Sequence, residues 1–479
     1  MHLSENEGIE GRTFAVTGGL GFLGAALCLE LVRRGAAEVR SLDARSDSPW
    51  SPDLRKSGVR CIQGDVCRRK DVERALRGAD CVFHLASHGM SGKAMVQSGR
   101  THEVNINGTC NILEACHELG VKRLVYASTY NVVFGGQEIV NGNESLPYFP
   151  IDDHVDPYGK SKSLAEQLVL KSNGRPSKKK DGTRLYTSAI RPAAIYGPGE
   201  ERHLPRILSL ARMGLLLFKV GKPNVKTDWI YVDNLVLALI LASMGLLDDI
   251  PGREGYPIAA GQPYFVSDGF PVNTFEFLSP LLRSLDYGLP KNTLSVQKAL
   301  FLARLFWFIY TMLYPLLNRW WLPQPLLLPA EVYKVGVTHY FSYMKAKEEL
   351  GYIPMVSARD GMAATISYWQ AMKKELNRPT IHNWFFVIVG MFLLFYVAFL
   401  PQWGPLAWVN ALSLFLFRSL WTTRLVFVIA AAAHVGEGIY AWHLAKRVDP
   451  VNSPWWFWQT VMLGYFSLRF LLKRARESR

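Results

Sequence analysis

Residues 13–24 read TFAVTGGLGFLG. The first five make a short apolar strand that ends at Val16–Thr17. Gly18, Gly19, Gly21 and Gly24 follow and open a helix over about Phe22–Arg34, so Phe22 and Leu23 sit inside the turn. Glycine is needed there because the turn adopts backbone angles that other residues avoid, and because the backbone must approach a pyrophosphate. The free amides and the dipole of the helix then face that anion. A second strand, VRSLDAR, ends on Asp43, 19 residues after Gly24. A carboxylate at that place suits both ribose hydroxyls of a dinucleotide. Its fixed negative charge opposes a 2′-phosphate, so NAD is expected rather than NADP. Arg45, two residues on, works against that choice, because a nearby Arg accommodates such a phosphate.

Working outward, short apolar runs alternate with helical patterns. CVFHLAS (81–87), a helix near Asn107–Leu119, RLVYAST (123–129), YTSAIRPAAIYG (186–197) and WIYVDNL (229–235) follow in turn. That alternation predicts an α/β chain with a Rossmann-type, doubly wound parallel sheet. The expected division is a catalytic domain over 1–370, with a dinucleotide-binding part at about 12–190 and a smaller C-terminal substrate lobe at about 191–370. A linker at 371–383 and an all-α membrane tail at 384–479 complete the chain. KSNGRPSKKKDGTR (171–184) is expected to be a solvated loop.

The chain has 479 residues, 49% hydrophobic and 20% charged, which excludes a disordered chain, a coiled coil and a small disulfide-stapled module. All six cysteines fall between Cys28 and Cys116, with no CxxC pair and no His/Cys cluster of zinc spacing. Reduced thiols in a cytosol-facing domain, and no metal, are the expectation. The polar N-terminus MHLSENEGIEGR carries no signal-peptide pattern.

Tyr158 and Lys162 form a Tyr-x-x-x-Lys, and positions i and i+4 share a helix face. Pro157 suits the start of that helix. The pair makes sense as an acid/base. Bringing a phenol from about pKa 10 to 7 needs roughly 4 kcal/mol. One ammonium at about 5 Å with an effective dielectric near 20 supplies roughly 3 kcal/mol, and an oxidised nicotinamide could supply much of the rest. About 30 residues earlier, Ser128 and Thr129 close the strand RLVYAST, where an alcohol can hold a substrate oxygen. For Ser128 the alternative is an ordinary strand-end hydroxyl.

Lys+Arg exceed Asp+Glu by 54 to 40, and the excess is uneven. From Lys373 to Arg479 there are twelve Lys/Arg against four acids, so +8 of the net +14 lies there. Cations flanking uncharged runs point to a bilayer, not to nucleic acid. WFFVIVGMFLLFYVAFL (384–400), PLAWVNALSLFLF (405–417), LVFVIAAAAHVGEGIYAWHLA (425–445) and WWFWQTVMLGYFSLRFLL (455–472) predict three or four membrane segments. Clusters of Lys and Arg sit at both ends of the last run, so the positive-inside rule leaves the topology open. His434 and Glu437 are an intramembrane ionisable pair, either functional or a helix–helix contact beside Gly436 and Gly438. ALFLARLFWFIYTMLYPLL (299–317), followed by Trp320 and Trp321, lies inside the globular pattern. It is expected to be an interfacial helix, or a lid over an apolar pocket, within 299–321.

Taken together, the glycine turn, HLAS (84–87), VNINGT (104–109), Ser-Thr, Tyr-x-x-x-Lys and RPAAIYGPGE (191–200) resemble the extended short-chain dehydrogenase/reductases. ASHGMSG, STYNVVFGG, NGNESLPYFP, YVDNLVLA, GQPYFVSDG and EVYKVGVTHYFSYMKAKEELGY narrow the resemblance to the 3β-hydroxysteroid dehydrogenase branch. Within it, the family 42E type and the plant 3β-hydroxysteroid dehydrogenase/C-4 decarboxylase group are most similar. The resemblance spans about residues 8–370, and the plant relatives carry a similar multi-span tail. It implies Tyr158 as proton acceptor, Lys162 as its partner, and Thr129 where the family usually has Ser. Asn105 would help hold Lys162 through water, and Asp65, followed by Val66, would touch the adenine. His84, Ala86 and Pro192 would line the nicotinamide side.

The activity so implied is NAD-dependent oxidation of a sterol 3β-hydroxyl, with C-4 decarboxylation where the sterol carries a 4-carboxylate. Arg202 and His203 are the candidates to hold that carboxylate. The implied setting is the endoplasmic reticulum membrane with a cytosolic catalytic domain, as a homodimer or within a sterol-demethylation complex. Two other readings stand beside it: another membrane reductase or nucleotide-sugar epimerase, and a non-catalytic cofactor-binding membrane protein. The apolar half from Leu294 to Leu328 disfavours a polar sugar nucleotide, and the intact Tyr158, Lys162 and Asn105 disfavour mere binding.

Overall fold

The computed structural model describes residues 4–179, 182–212, 216–251, 254–317, 325, 327–372, 381–400 and 418–477. Contacts divide the chain into two units, Met1–Ser367 and Tyr368–Arg479.

The first unit is built on seven parallel strands. They are β1 (Thr13–Thr17), β2 (Glu38–Asp43), β3 (Arg60–Gln63), β4 (Cys81–His84), β5 (Arg123–Ala127), β6 (Arg184–Pro192) and β7 (Gln262–Val266). Their order across the sheet is β7-β6-β5-β4-β1-β2-β3. The connection reverses direction between β1 and β4, and ligands of such sheets bind at the carboxyl ends beside that reversal. Strands buried on both faces need apolar residues at nearly every position, which β4 shows with Cys81, Val82, Phe83 and His84 all buried.

Alternate residues of β1 serve two cores. Phe14 and Val16 pack with Leu27 and Leu31 of α1 (Phe22–Arg33). Ala15 packs with Ile112 and Cys116 of α2 (Gly108–Leu119) and with Ala165 and Val169 of α3 (Pro157–Lys171). Asp156 caps α3 by accepting from Gly159 N at 2.7 Å, with Pro157 in the first turn. The helix expected from Asn107 begins as a π turn, Glu103–Asn107, which runs into α2. Such turns mark functional positions. The described part of 171–184 is more ordered than expected. Arg175–Pro176 pairs antiparallel with β6, and Lys178 pairs with Glu118 at 2.8 Å. All six cysteines are free.

The rest of the unit forms the lobe over the strand ends. It contains α4 (Leu204–Arg212) and α6 (Val296–Leu317), whereas α5 (Val232–Gly245) packs on the sheet beside α1. Three short parallel pairs stitch it: Ala194–Tyr196 with Trp229–Tyr231, Phe218–Val220 with Asn292–Leu294, and Ile139–Gly142 with His339–Phe341. The apolar run at 299–317 lies in α6. Its outer face exposes Phe301 by 69%, Phe308 by 64% and Met312 by 62%, while Ala299 and Ala303 are buried. Trp320 and Trp321 lie outside the described residues.

In the second unit, α7 (Ile381–Phe399), α8 (Leu420–Val448), α9 (Ser453–Leu463) and α10 (Tyr465–Glu477) are all helices. The run 405–417 and most of the expected linker lie outside the described residues. The run 455–472, expected near span length, is two helices. Gly464, at φ +57, breaks it. His434 Nδ1 meets Val461 O at 3.1 Å, and His434 and Glu437 both crowd that glycine. Gly438 faces Val461 so closely that a Cβ there would lie 2.4 Å from its side chain. Gly438 therefore permits close helix contact, as the small-residue reading expected, whereas a Cβ on Gly436 would meet nothing within 4 Å. Two described helices are long and apolar enough to cross a bilayer, Val296–Pro315 and Leu420–Val448.

Candidate active site

A cavity of about 870 Å³ runs from the glycine turn across the strand ends into the lobe. Gly18, Gly21, Phe22, Leu23, Gly24, Asp43, Asp65, Val66, Ala86, Thr129, Tyr158 and Pro192 all line it. These sequence-derived positions, spread over 175 residues, therefore converge on one space.

The turn has the backbone a dinucleotide needs. Gly18 sits at φ +72, and a Cβ on it would come within 3.0 Å of the Ala86 backbone. A Cβ on Gly24 would lie 2.2 Å from Gly18 O, so only glycine lets α1 close on the turn. Asp43 accepts from Leu20 N at 3.1 Å and Arg45 N at 2.9 Å, which fixes its carboxylate at the ribose end. Arg45 lines the same end and contacts both Asp43 and Glu201 at 3.4 Å. Burial pushes the Asp65 carboxyl up, but the Cys67 amide and the Arg100 guanidinium, at 2.7 Å, hold it below the usual range. This cradle fits a nicotinamide dinucleotide.

Three of the expected residues lie beneath the cavity rather than on its wall. Asn105 accepts from His88 N at 2.8 Å and donates to His88 O at 2.9 Å and Ser161 Oγ at 2.8 Å. Ser161 Oγ then donates to Tyr158 O at 2.9 Å, so Asn105 braces the first turn of α3. His84, expected beside the nicotinamide, is fully buried between Thr17 and Thr109 hydroxyls. The side chain closing β4 points into the protein, and the wall is made by Leu85, Ala86 and Ser87 instead.

Lys162 is also different from the expectation. Its ammonium donates to Ala127 O at 2.5 Å and stands 4.0 Å over the Tyr126 ring. Burial lowers it to about 7, partly opposed by Glu166. Tyr158 was expected to be acidified by this neighbour. Burial instead raises it to about 12, and the relief comes from Arg202 and a hydrogen bond with Ser87. The reason is desolvation, which the Arg202 charge and the Ser87 hydroxyl only partly offset and to which the Asp156 charge adds.

Thr129 Oγ1 accepts from Asn131 Nδ2 at 2.8 Å and faces the cavity. Ser128 is structural, because its hydroxyl donates to Glu166 Oε2. Sequence reading missed the reason. Glu166 is 0% exposed and pairs with Arg191, 2% exposed, through guanidinium contacts of 3.0, 3.2 and 2.5 Å. Tyr148 adds a hydroxyl at 2.8 Å. The group ties α3, β5 and β6 together directly behind Thr129. Its one visible signal is spacing: Tyr158, Lys162 and Glu166 recur every four residues on one helix face.

In the lobe the wall turns apolar, with Leu210, Trp229, Phe275, Leu278, Leu302 and Phe306. The last two come from α6, opposite its exposed Phe301 and Phe308. Of the two residues suggested as carboxylate holders, Arg202 lines the cavity with its charge near Tyr158. His203 does not suit that role. Burial, with Lys334 and Arg202 nearby, lowers it to about 3, so it is neutral.

Residues 15–296 match the 3-beta hydroxysteroid dehydrogenase/isomerase family, and residues 382–473 match the Transmembrane protein 254 family. The chain is 49% identical over 343 residues to short-chain dehydrogenase/reductase family 42E member 1 of Macaca fascicularis, covering 71% of this chain and 84% of that one. It is 33% identical over 389 residues to 3beta-hydroxysteroid-dehydrogenase/decarboxylase isoform 1 of Arabidopsis thaliana, covering 79% and 83%. Among solved structures, the dTDP-glucose 4,6-dehydratase of Streptomyces venezuelae, with NAD bound, superposes with a TM-score of 0.56. Identity there is 22%, over 75% of this chain and 97% of that one, which is a likeness of fold.

Proposed function

The chain belongs to the 3-beta hydroxysteroid dehydrogenase/isomerase family and is an oxidoreductase of CH–OH groups, and from this we propose that it is a membrane-bound, NAD-dependent dehydrogenase of a sterol 3β-hydroxyl. The observation that carries the reading is the continuity of one cavity, with Tyr158 between a dinucleotide cradle and an apolar chamber. A rigid, fused hydrocarbon with one hydroxyl at its end matches that sequence of walls. A sugar nucleotide suits it less, because Phe275, Leu278, Leu302 and Phe306 offer its hydroxyls no partners.

The residues divide the work. Thr129 holds the substrate oxygen beside Tyr158 Oη. Tyr158 takes the hydroxyl proton, and the Arg202 charge stabilises the phenolate that receives it. Asn105 and Ser161 fix the turn of helix that presents the ring. A bound nicotinamide supplies the hydride acceptor. Where the sterol carries a 4-carboxylate, the product is a β-keto acid whose C–C bond breaks readily, because the new carbonyl accepts the electron pair. Arg202, which lines the cavity and acts on Tyr158, is the candidate to hold that carboxylate. The name of the plant relative supports this second step.

Asp43 supports NAD over NADP. The apolar outer face of α6 and the second unit support anchoring in the endoplasmic reticulum membrane as a multi-pass protein, with the catalytic unit in the cytosol. A sterol concentrates in the bilayer, so a chamber walled by a lipid-facing helix meets it there.

The test is NADH formation by the purified full-length protein in nanodiscs, across 3β-hydroxysterols with and without a 4-carboxylate, and UDP-sugars. Turnover of the sterols that is lost in Tyr158→Phe is expected. No NADH with any sterol, or turnover of the sugars alone, refutes the reading.

A further inference from the structure

His84 is fully buried, yet both its ring nitrogens are engaged. Thr17 Oγ1 lies 2.7 Å from Nδ1, and Thr109 Oγ1 lies 2.9 Å from Nε2. The proton positions follow from the neighbours. Thr17 Oγ1 accepts from the amide of Ala86 and from that of Leu85, which it shares with Thr17 O, each at 3.2 Å. A hydroxyl has two acceptor positions and one hydrogen. With both positions taken, the Thr17 hydrogen goes to Nδ1. The neutral ring then carries its proton on Nε2 and donates to Thr109, which donates to Asn105 O at 2.6 Å. The chain of bonds runs one way, from Thr17 through His84 and Thr109 to Asn105. A protonated ring would set a second N–H against an oxygen with no free lone pair. Burial, and Lys162 nearby, oppose that state as well, holding the ring at about 3.

The two ends of this chain belong to different halves of the site. Thr17 holds the amides of Leu85 and Ala86, which wall the dinucleotide half, and Ala86 is the surface on which Gly18 packs. Asn105 sits in the π turn and braces Tyr158 through Ser161.

We infer that His84 is a positioning residue which, through one fixed tautomer, locks the floor of the dinucleotide half to the turn that sets Tyr158. The inference rests on the dehydrogenase class of the chain, not on which sterol it takes.

Two substitutions separate the halves, because the amides of Asn and Gln stand near the places of Nδ1 and Nε2. His84→Asn keeps an acceptor for Thr17 and loses the donor to Thr109. His84→Gln keeps that donor and loses the acceptor. The assays are NAD titration by tryptophan fluorescence and turnover of a 3β-hydroxysteroid, both on the full chain in nanodiscs. His84→Gln should weaken NAD about tenfold with kcat within about twofold, and His84→Asn should lower kcat about tenfold with NAD affinity within about twofold. Thr109→Val should repeat the kcat loss, and Thr109→Ser should restore it.

The inference is overturned if both His84 variants change the same parameter equally. It is also overturned if they lower only the melting temperature, or if Thr109→Val keeps full kcat. Should neither His84 variant fold, the Thr109 pair decides. If the wild type turns over no 3β-hydroxysteroid, the sterol reading falls, and the NAD titration still judges His84: weaker binding in His84→Gln than in His84→Asn supports it, and equal binding sinks it.

Discussion

Glu166→Gln isolates the charge behind the active site. The substitution keeps the size of the side chain and removes its charge, leaving Arg191, 2% exposed, without a counter-ion. Breaking a buried pair by removing one partner costs about 3–5 kcal/mol. The first unit spans Met1–Ser367. At roughly 2.1 cal/mol/K of unfolding entropy per residue it has about 0.8 kcal/mol/K, so the melting temperature should fall by about 4–6 °C. A second effect follows on Lys162. Burial lowers that ammonium to about 7, and Glu166 is what opposes the burial. Without the carboxylate its pKa drops further, so less of it is charged at neutral pH. With the Lys162 ammonium, one turn along α3, adding to Arg202 in stabilising the phenolate, and lysine charged only below its pKa, turnover relative to wild type should fall more at pH 8 than at pH 6. The assays are differential scanning fluorimetry and kcat at pH 6, 7 and 8, on the full chain in nanodiscs. As a control, Glu166→Leu with Arg191→Met leaves no unpaired buried guanidinium and should melt closer to wild type than Glu166→Gln does. A Glu166→Gln melting temperature within 1 °C of wild type, or an unchanged pH dependence of the activity ratio, refutes the reasoning.

Tyr158 is raised to about 12 and must lose its proton to act as base, so kcat/KM for oxidation should climb with pH through the alkaline range. Arg202→Gln removes the main charge relieving that phenol and should move the climb to higher pH, which a pH–rate profile checks. Asp43→Ala, with Arg45 left in place, should raise KM for NAD about tenfold and improve relative use of NADP, read from kcat/KM for each cofactor. His84, His203 and His339 are held by burial at about 3, 3 and 4. The unfolded chain binds those protons first, so stability should be lost as pH falls below about 6.5, with these three contributing up to about 4 kcal/mol per pH unit. Urea midpoints across pH 4–7 measure it, and His339→Asn should flatten the slope. Charging the outer face of α6 with Phe301→Glu and Phe308→Glu should weaken flotation of the protein with sterol-containing liposomes while Tyr158-dependent turnover of a detergent-solubilised sterol persists.

Residues whose role depends on chain neighbours were legible early. Gly18 and Gly24 are demanded by the turn they sit in, and Asp43 by the end of the next strand. Roles that depend on what arrives from elsewhere were not. Ser128 looked like a candidate until Glu166, 38 residues on, claimed its hydroxyl. His84 looked like part of the wall, because a strand end gives no sign of which way its last side chain points. Lys162 was assigned to the phenol, although Ala127 O and the Tyr126 ring hold its ammonium. At 455–472 the hydropathy ran straight through Gly464, and only the backbone shows the break.

The order of strands and helices and the dinucleotide turn were thus determined by sequence, because each is a short-range consequence of backbone freedom and periodicity. Tertiary structure decided the electrostatics. Burial raises the phenol, and Arg202 and Ser87 relieve it. Arg191 from β6 meets Glu166 from α3, and an apolar chamber forms where α6 turns one face inward. Charge and desolvation depend on distances between segments far apart in the chain, and those distances exist only once the chain has folded.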